Sequence, residues 1–209
     1  MELRLDPSVK YGIVLEGGGA RGAYQIGAWK ALKEAGIAIG GISGASVGAL
    51  NGALMCMDDL DRACHIWENL TYSKVMNVSD ALIEKFRSKD LEIQDFQELG
   101  SAVGKALKDG GLDVTPLKDL IEETVDEERI RASERELFVI TYSLTDWKKV
   151  VINIKELSDG EMSDALLASA YFPAFKREKL GGKRYMDGGS ADNVPIEPLL
   201  ERGYKNLIV

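Results

Sequence analysis

The sequence predicts an α/β fold in which helices cover a central, mostly parallel sheet in three α/β/α layers. Near the N-terminus, short apolar runs of strand type alternate with helical patterns, and the connections between them are short. Residues 58–134 are instead charged, helical in pattern and poor in strand signals, which predicts a helical insertion. A length of 209 residues is typical of one domain, so we expect residues 1–209 to form a single domain.

The first four elements alternate between strand and helix. The apolar run at 11–15 ends at glycines and predicts a buried strand. A helix follows and ends at Gly36, in the position of a C-cap glycine. A second strand over 37–42 and a second helix over 47–57 come next. The predicted buried face of the first helix, at a 3.6-residue period, consists of Tyr24, Ala28, Ala31, Leu32 and Ala35.

The insertion and the segment after it give further elements. Thr115 followed by Pro116 predicts a helix N-cap with proline in the first turn. Strands over 136–144 and 147–154 are expected to form a hairpin, and a helix is expected over 163–170. A second hairpin with its turn at Gly181-Gly182, a short helix and a last strand complete the pattern. Because the chain stops inside that strand, we expect the C-terminal part of the domain to be missing. An apolar stripe in the insertion consists of Ile93, Phe96, Leu99, Val103 and Leu107.

Charge and hydropathy argue against a nucleic-acid-binding protein and against a membrane-spanning or secreted one. With 26 basic and 34 acidic residues the net charge is −8, which argues against wholesale binding of nucleic acid. No run of 18 apolar residues could span a membrane, and the charged N-terminus is not a secretory signal. We therefore expect a cytoplasmic protein.

The first glycine motif, Gly17 to Gly22, lies between a strand and a helix and matches G-x-G-x-x-G. A dinucleotide site also needs an acidic residue at the end of the second strand, and residues 41–44 contain none. A P-loop lysine is absent as well. The loop is interpreted either as a set of backbone donors at a helix N-terminus or as a tight turn.

The second motif, Gly44 to Gly48, reads G-x-S-x-G at a strand–helix junction, where a nucleophile elbow would hold Ser46. Ser46 needs a base. The single histidine, His65, lies in a helical stretch 19 residues later, with no suitable acid in between. A carboxylate is the remaining choice, and Asp187 in the Asp-Gly-Gly turn at 187–189 is the best candidate, although Asp-Gly alone indicates only a turn.

Together these motifs resemble the patatin-like phospholipase family. Gly17–Gly22, Gly44–Gly48 and 187–189 occur in that family's order and structural contexts, and 168–175 is similar to its segment between elbow and aspartate. The resemblance covers nearly the whole chain, and residues 58–134 are its least specific part.

The resemblance implies a patatin-like fold and a serine lipid acyl hydrolase, that is, a carboxylic ester hydrolase of the phospholipase A or lysophospholipase type. It implies a Ser46–Asp187 dyad without histidine, metal or cofactor, and an acyl-enzyme intermediate. Backbone N–H groups of Gly17, Gly18 and Gly19 would hold the oxyanion, chiefly those of Gly18 and Gly19. The other motif positions are Arg21, Gly22, Gly44, Gly48, Gly188 and Gly189.

Several alternatives stay open. The same dyad would serve an acyltransferase, the Gly17–Gly22 loop could belong to a nucleotide-binding module, and a pseudoenzyme would keep only lipid binding. Arg21 either faces a substrate phosphate, anchors the loop or is a solvated helix residue. Ile93, Phe96 and Leu99 either wall or cover an acyl site or pack in the core. The expected partners are phospholipid, lysophospholipid or another fatty acyl ester. A basic cluster is either a peripheral membrane contact or a solvated hairpin, and it consists of Lys176, Arg177, Lys179, Lys183 and Arg184.

Overall fold

The structure of the protein, a computed structural model, describes residues 5–76, 78–88, 110–176 and 178–209, together with positions 101, 104 and 108. The predictions for the apolar stripe at 93–107 and for Arg177 lie outside the described residues.

A mixed, mostly parallel sheet forms the centre of the fold. Its strand order is β4-β3-β2-β1-β6, and β5 pairs with β3 beside that path. β1, β2, β3 and β6 run parallel to one another, whereas β4 and β5 run antiparallel to β3. The strands are β1 (Lys10–Leu15), β2 (Ala38–Ala45), β3 (Glu136–Ser143), β4 (Lys148–Asn153), β5 (Tyr185–Met186) and β6 (Leu207–Ile208).

Helices lie on both sides of the sheet, as the sequence predicted. Leu15 of β1 pairs with Gly44 of β2, so these two parallel strands end at the same edge of the sheet. Short 3-10 turns occupy Gly19–Arg21, Tyr72–Lys74 and Gly188–Ser190. The α-helices in the described part are α1 (Gly22–Glu34), α2 (Val47–Cys56), α3 (Leu60–Glu68), α4 (Asp80–Ser88), α5 (Thr115–Thr124), α6 (Glu127–Ala132), α7 (Met162–Ser169) and α8 (Glu197–Glu201).

The core has two parts because side chains alternate along each strand. Ile13 of β1 belongs to the larger cluster, which also contains residues of α1 and α2. Its neighbour Val14 belongs to the smaller cluster with Leu199 of α8. β3 alternates in the same way, since Leu137 and Phe138 belong to different clusters. Burial of both sheet faces explains why the strands read as nearly continuous apolar runs.

The predicted buried face of α1 is wrong apart from Leu32, which is buried as predicted. Tyr24 is 82% exposed, and the residues that α1 buries against the core are Ile26, Trp29 and Leu32. Both sets match a helical period. Burying a tryptophan and two branched aliphatic side chains removes more apolar surface from water than burying a face made mainly of alanines, which decides the orientation.

Two further local predictions need correction. Thr115 is the first residue of α5 and not its N-cap, and the Asp113 carboxylate accepts hydrogen bonds from its backbone N–H and hydroxyl. The Gly181-Gly182 turn closes only a single bridge between Leu180 and Lys183. The strand that follows, β5, pairs with the end of β3 beyond the last residue that β2 contacts.

Candidate active site

Ser46 lies in a tight turn between β2 and α2. Its backbone has φ 54° and ψ −127°, a conformation that costs a non-glycine residue of order 1–3 kcal/mol. The neighbouring glycines permit the turn: a Cβ on Gly44 would lie 2.5 Å from the carbonyl carbon of Gly48, and one on Gly48 would collide with the Leu15 carbonyl. The turn directs the Ser46 side chain to the end of the sheet, next to the N-terminus of α2.

Ser169 holds this turn in place. The Ser46 backbone N–H donates to Ser169 Oγ at 2.9 Å, and Ser169 Oγ donates to the Ile140 carbonyl of β3 at 2.5 Å. Ser169 is fully buried at the end of α7. The elbow is therefore tied to β3 through one hydroxyl, and the Ser46 N–H already has a partner.

Asp187 is within hydrogen-bond distance of Ser46, although 141 residues separate them. The Ser46 hydroxyl donates to Asp187 Oδ2 at 2.6 Å, and the Gly189 N–H donates to Oδ1 at 2.8 Å. Burial raises the pKa of the Asp187 carboxyl above its usual value, and these two hydrogen bonds oppose part of that shift. A carboxylate with a raised pKa, hydrogen-bonded to a hydroxyl, is suited to accept the proton of that hydroxyl.

The Gly17–Gly19 loop lies beside the Ser46–Asp187 pair. A Cβ on Gly17 would lie 3.2 Å from Cβ of Ser46. The Gly17 N–H is taken by Asn193 Oδ1 at 3.1 Å. The N–H groups of Gly18 and Gly19 have no partner among the described residues. That these two N–H groups would hold an oxyanion stays a prediction.

A cleft of about 990 Å³ opens from this site. Its charged lining residues in the described part are Arg21 and Asp187, and most of the remaining wall is apolar. The apolar wall comes from α2, α3, α5, α7, the turn at 72–76 and the segment after α7. It includes Leu50, Leu54, Ile66, Trp67, Val75, Met76, Leu117, Ile121, Leu166 and Phe172.

Three other predictions concern residues around this site. His65 is exposed on α3, where its Nδ1 lies 3.3 Å from Asn69 Nδ2, and it is not among the residues that line the cleft. Arg21 is exposed at the cleft, and its guanidinium has no hydrogen-bond partner within the described part. Within the basic cluster, Lys183 forms an ion pair with Asp146 at 2.7 Å, which reduces the cluster's free positive charge.

No helix in the described ranges combines the length and apolar character needed to cross a membrane.

The sequence of the chain matches a known protein family. A family model described as patatin-like phospholipase matches residues 13–200, which is most of the chain. The chain belongs to the patatin-like phospholipase family. The matched range begins in β1 and includes both glycine motifs and Asp187.

The similarity to individual proteins is either short or confined to the fold. Neuropathy target esterase sws from Drosophila sechellia is 60% identical over 47 residues, which are 22% of this chain and 3% of that protein. The same values hold for the protein of that name from Drosophila persimilis. The crystal structure of VipD from Legionella pneumophila matches with a TM-score of 0.57 at 17% identity, covering 89% of this chain and 47% of VipD. The chain thus spans a small part of these curated relatives, and the likeness to VipD concerns the patatin-like fold.

Sequence reasoning missed two residues at this site. Ser169 lies in the family-like segment at 168–175, and Asn193 follows the Asp-Gly-Gly turn, but neither was assigned a role. Both are uncharged side chains that bind backbone groups, and such contacts leave no periodic pattern in a sequence. The one feature of the sequence that points to them is their position, Ser169 within 168–175 and Asn193 shortly after the Asp-Gly-Gly turn.

Ser169→Ala is expected to lower kcat about 5- to 100-fold, because it leaves the Ser46 N–H without a partner and releases the elbow. Steady-state kinetics on a soluble ester, together with a thermal melt, would measure this. Ser163→Ala, the same change on the same helix, is the matched control. Equal kcat for the two variants would contradict the assigned role of Ser169.

Proposed function

We propose that the protein is a lipid acyl hydrolase of the phospholipase A or lysophospholipase type, using a Ser46–Asp187 dyad. The observation that carries the proposal is the 2.6 Å hydrogen bond between Ser46 Oγ and Asp187 Oδ2 at an apolar cleft. Family membership supports a lipid substrate, and the similar Drosophila proteins are named esterases. A strained elbow that exposes the serine next to unpartnered backbone donors is the arrangement that acyl transfer requires.

In the proposed reaction Asp187 takes the proton of Ser46 as its oxygen attacks the ester carbonyl. The tetrahedral oxyanion is held by the N–H groups of Gly18 and Gly19, and its collapse releases the alcohol, which takes up the proton. Asp187 then activates water, which attacks the acyl-Ser46 ester and frees the fatty acid. One preorganised donor of this kind lowers a barrier by about 2.7–4 kcal/mol.

The acyl chain is proposed to lie along α2. Leu50 and Leu54 are four residues apart, so they share one face of α2, the helix that begins directly after Ser46, and both line the cleft. A helix rises 1.5 Å per residue, which places them about 6 and 12 Å from Ser46 along the axis. A chain bound there would be enclosed by the apolar residues of α3 and α5 on the other walls.

A peripheral membrane contact belongs to the same proposal. Phe172 is 54% exposed and Tyr72 is 39% exposed, and both line the cleft, so they are suited to an interfacial position. Lys176, Lys179 and Arg184 supply exposed positive charge on the segment after Phe172.

The proposal is tested by mass spectrometry of fatty acid released from vesicles. Phosphatidylcholine and lysophosphatidylcholine are the substrates, each with and without an anionic lipid. We expect release from at least one, and faster release when anionic lipid is present. Protein that is folded and releases no fatty acid would contradict the proposed activity, and rates independent of vesicle charge would contradict the contact through the basic cluster.

Adding an alcohol to the same assay distinguishes hydrolysis from transacylation. A hydrolase gives free fatty acid as the main product, whereas a transacylase transfers the acyl group to the added alcohol. Both products come from one acyl-enzyme, so the ratio reports the preferred acceptor and not the nucleophile.

Leu50→Trp is expected to lower kcat/KM for a long-chain ester at least tenfold and to leave a short-chain ester within about threefold, because the indole would fill the channel beyond the serine. The two values of kcat/KM are measured with p-nitrophenyl palmitate as the long-chain ester and p-nitrophenyl butyrate as the short-chain ester. Leu200→Trp, at an exposed position of α8, is the matched control. Equal losses for both esters would contradict an acyl path along α2.

A further inference from the structure

Asn193 connects the loop that carries Asp187 with the loop that carries the glycine donors. Its Oδ1 accepts from the Gly17 N–H at 3.1 Å, and its Nδ2 donates to the Gly17 carbonyl at 3.4 Å. One amide side chain therefore contacts both polar backbone groups of a residue 176 positions away. An amide is suited to this, since it has a donor and an acceptor side by side.

The contact with the Gly17 carbonyl determines where the next N–H points. The Gly17–Gly18 peptide is planar and trans, so its C=O and N–H point in opposite directions. Because Asn193 Nδ2 holds the carbonyl, the Gly18 N–H is directed away from Asn193. A hydrogen bond to the carbonyl also polarises the peptide and makes its N–H a stronger donor.

Close packing keeps the Asn193 amide in this position. A Cβ on Gly17 would lie 2.6 Å from Asn193 Oδ1, and one on Gly189 would lie 2.7 Å from the same atom. The adjacent Asp192 forms an ion pair with Lys149 of β4 at 3.1 Å, which anchors the loop on its other side. Asn193 thus lies between two glycine backbones with little room to turn.

We infer that Asn193 is a positioning residue that aims the Gly18 N–H at the oxyanion formed when Ser46 attacks an ester. The inference rests on the proposed acyl hydrolase function. It separates the three motif glycines by role: Gly17 is held by Asn193, and Gly18 and Gly19 donate to the oxyanion. A residue that merely joined two loops would stabilise the fold without acting on the transition state.

Two variants test this role. Asn193→Asp keeps the shape and the acceptor for the Gly17 N–H but replaces the donor to the Gly17 carbonyl with an oxygen. Asn193→Ala removes both contacts without adding charge. We expect each to lower kcat about 10- to 100-fold, less than the loss of a whole oxyanion donor, with KM within about twofold. Asn206→Asp, at an exposed position, is the control for the added charge.

The second readout is the inhibition constant of an alkyl trifluoromethyl ketone, whose adduct with a serine places an oxyanion where the transition state has one. This constant is expected to rise by the same factor as kcat falls. An alkyl alcohol of equal chain length, which forms no oxyanion, should bind each variant as it binds wild type. Thermal melts verify folding, and if the alanine variant does not fold, the isosteric aspartate variant still gives the test.

The outcomes separate this inference from the proposed function. Variants with wild-type kcat, or with a lowered kcat and an unchanged ketone inhibition constant, would overturn the role of Asn193 while the esterase proposal stands. A folded wild type that neither cleaves esters nor binds the ketone would overturn both.

Discussion

Ser46→Ala is expected to lower kcat for ester cleavage by about 10⁶-fold, because the substitution removes the attacking oxygen and the remaining groups cannot form an acyl-enzyme. The backbone contact that holds the elbow survives, since the Ser46 N–H still reaches Ser169. The fold should therefore be unchanged. Fatty acid release and labelling with a fluorophosphonate, followed by peptide mapping, measure the effect.

The labelling experiment has a clear control. Wild type and Ser163→Ala should carry the label on the peptide that contains Ser46, and Ser46→Ala should carry none. Label that persists in Ser46→Ala would show that another residue is the nucleophile. A thermal melt on each protein ensures that a lost label does not reflect unfolding.

The alternation of strands and helices was predictable because each element carries its own apolar pattern. The end of β2 was not. The sequence predicts a strand over 37–42, but β2 continues to Ala45. Pairing with β1 and β3 on both sides stabilises the extension, and such long-range pairing has no local signal.

The walls of the cleft also show what a local sequence pattern cannot predict. The sequence leaves open whether the insertion supplies an apolar wall or packs in the core, and residues in two of its described parts, 66–76 and 117–125, line the cleft. The individual residues that were singled out, Ile93, Phe96 and Leu99, lie outside the described residues. An amphipathic helix indicates that one face is buried, but it does not indicate whether that face meets the core or a cavity.

The site itself was predictable to the extent that its residues occur in motifs with steric requirements. Ser46 and Asp187 could be named because each lies next to glycines that allow a tight backbone. A Cβ on Gly188, for example, would collide with the Ile140 carbonyl. Their catalytic roles stay predictions. Ser169 and Asn193 could not be named, because the backbone groups of Ser46 and Gly17 that they contact are more than 100 residues away.

Asp187→Asn is expected to lower kcat about 10²- to 10⁴-fold, because an amide cannot accept the Ser46 proton. The pH dependence identifies the group. Only the ionised carboxylate is a base, so wild-type kcat/KM should rise with pH as Asp187 ionises. Burial raises the pKa of Asp187, so this rise should lie above the range of an ordinary aspartate. The residual kcat/KM of the asparagine variant should not show this rise with pH. If the variant keeps the rise, it is caused by the ionisation of another group.

The same substitution is expected to increase stability, which separates catalysis from folding. A carboxyl whose pKa is raised in the folded state contributes its full stability below the unfolded pKa, and that contribution is lost as pH rises through the folded pKa. At neutral pH the wild type therefore carries the cost of a partly buried charge that asparagine lacks. The melting temperature of Asp187→Asn should exceed that of wild type at pH 7, and the difference should shrink as the pH falls through the raised pKa.

Asp146→Asn is the matched control for that measurement, because its change in stability should have the opposite sign. The hydrogen bond from Lys183 holds the pKa of the Asp146 carboxyl below its usual value, so its contribution to stability is present above the unfolded pKa and is lost as pH falls. Its removal should lower the melting temperature slightly at pH 7, since the pair is exposed. If Asp187→Asn were also less stable than wild type at pH 7, the hydrogen bonds to the Asp187 carboxylate would outweigh its burial. The rise of kcat/KM with pH should then lie at or below the pH range of an ordinary aspartate. Both measurements, the melting temperature and the kinetics, would in that case contradict a raised pKa of Asp187.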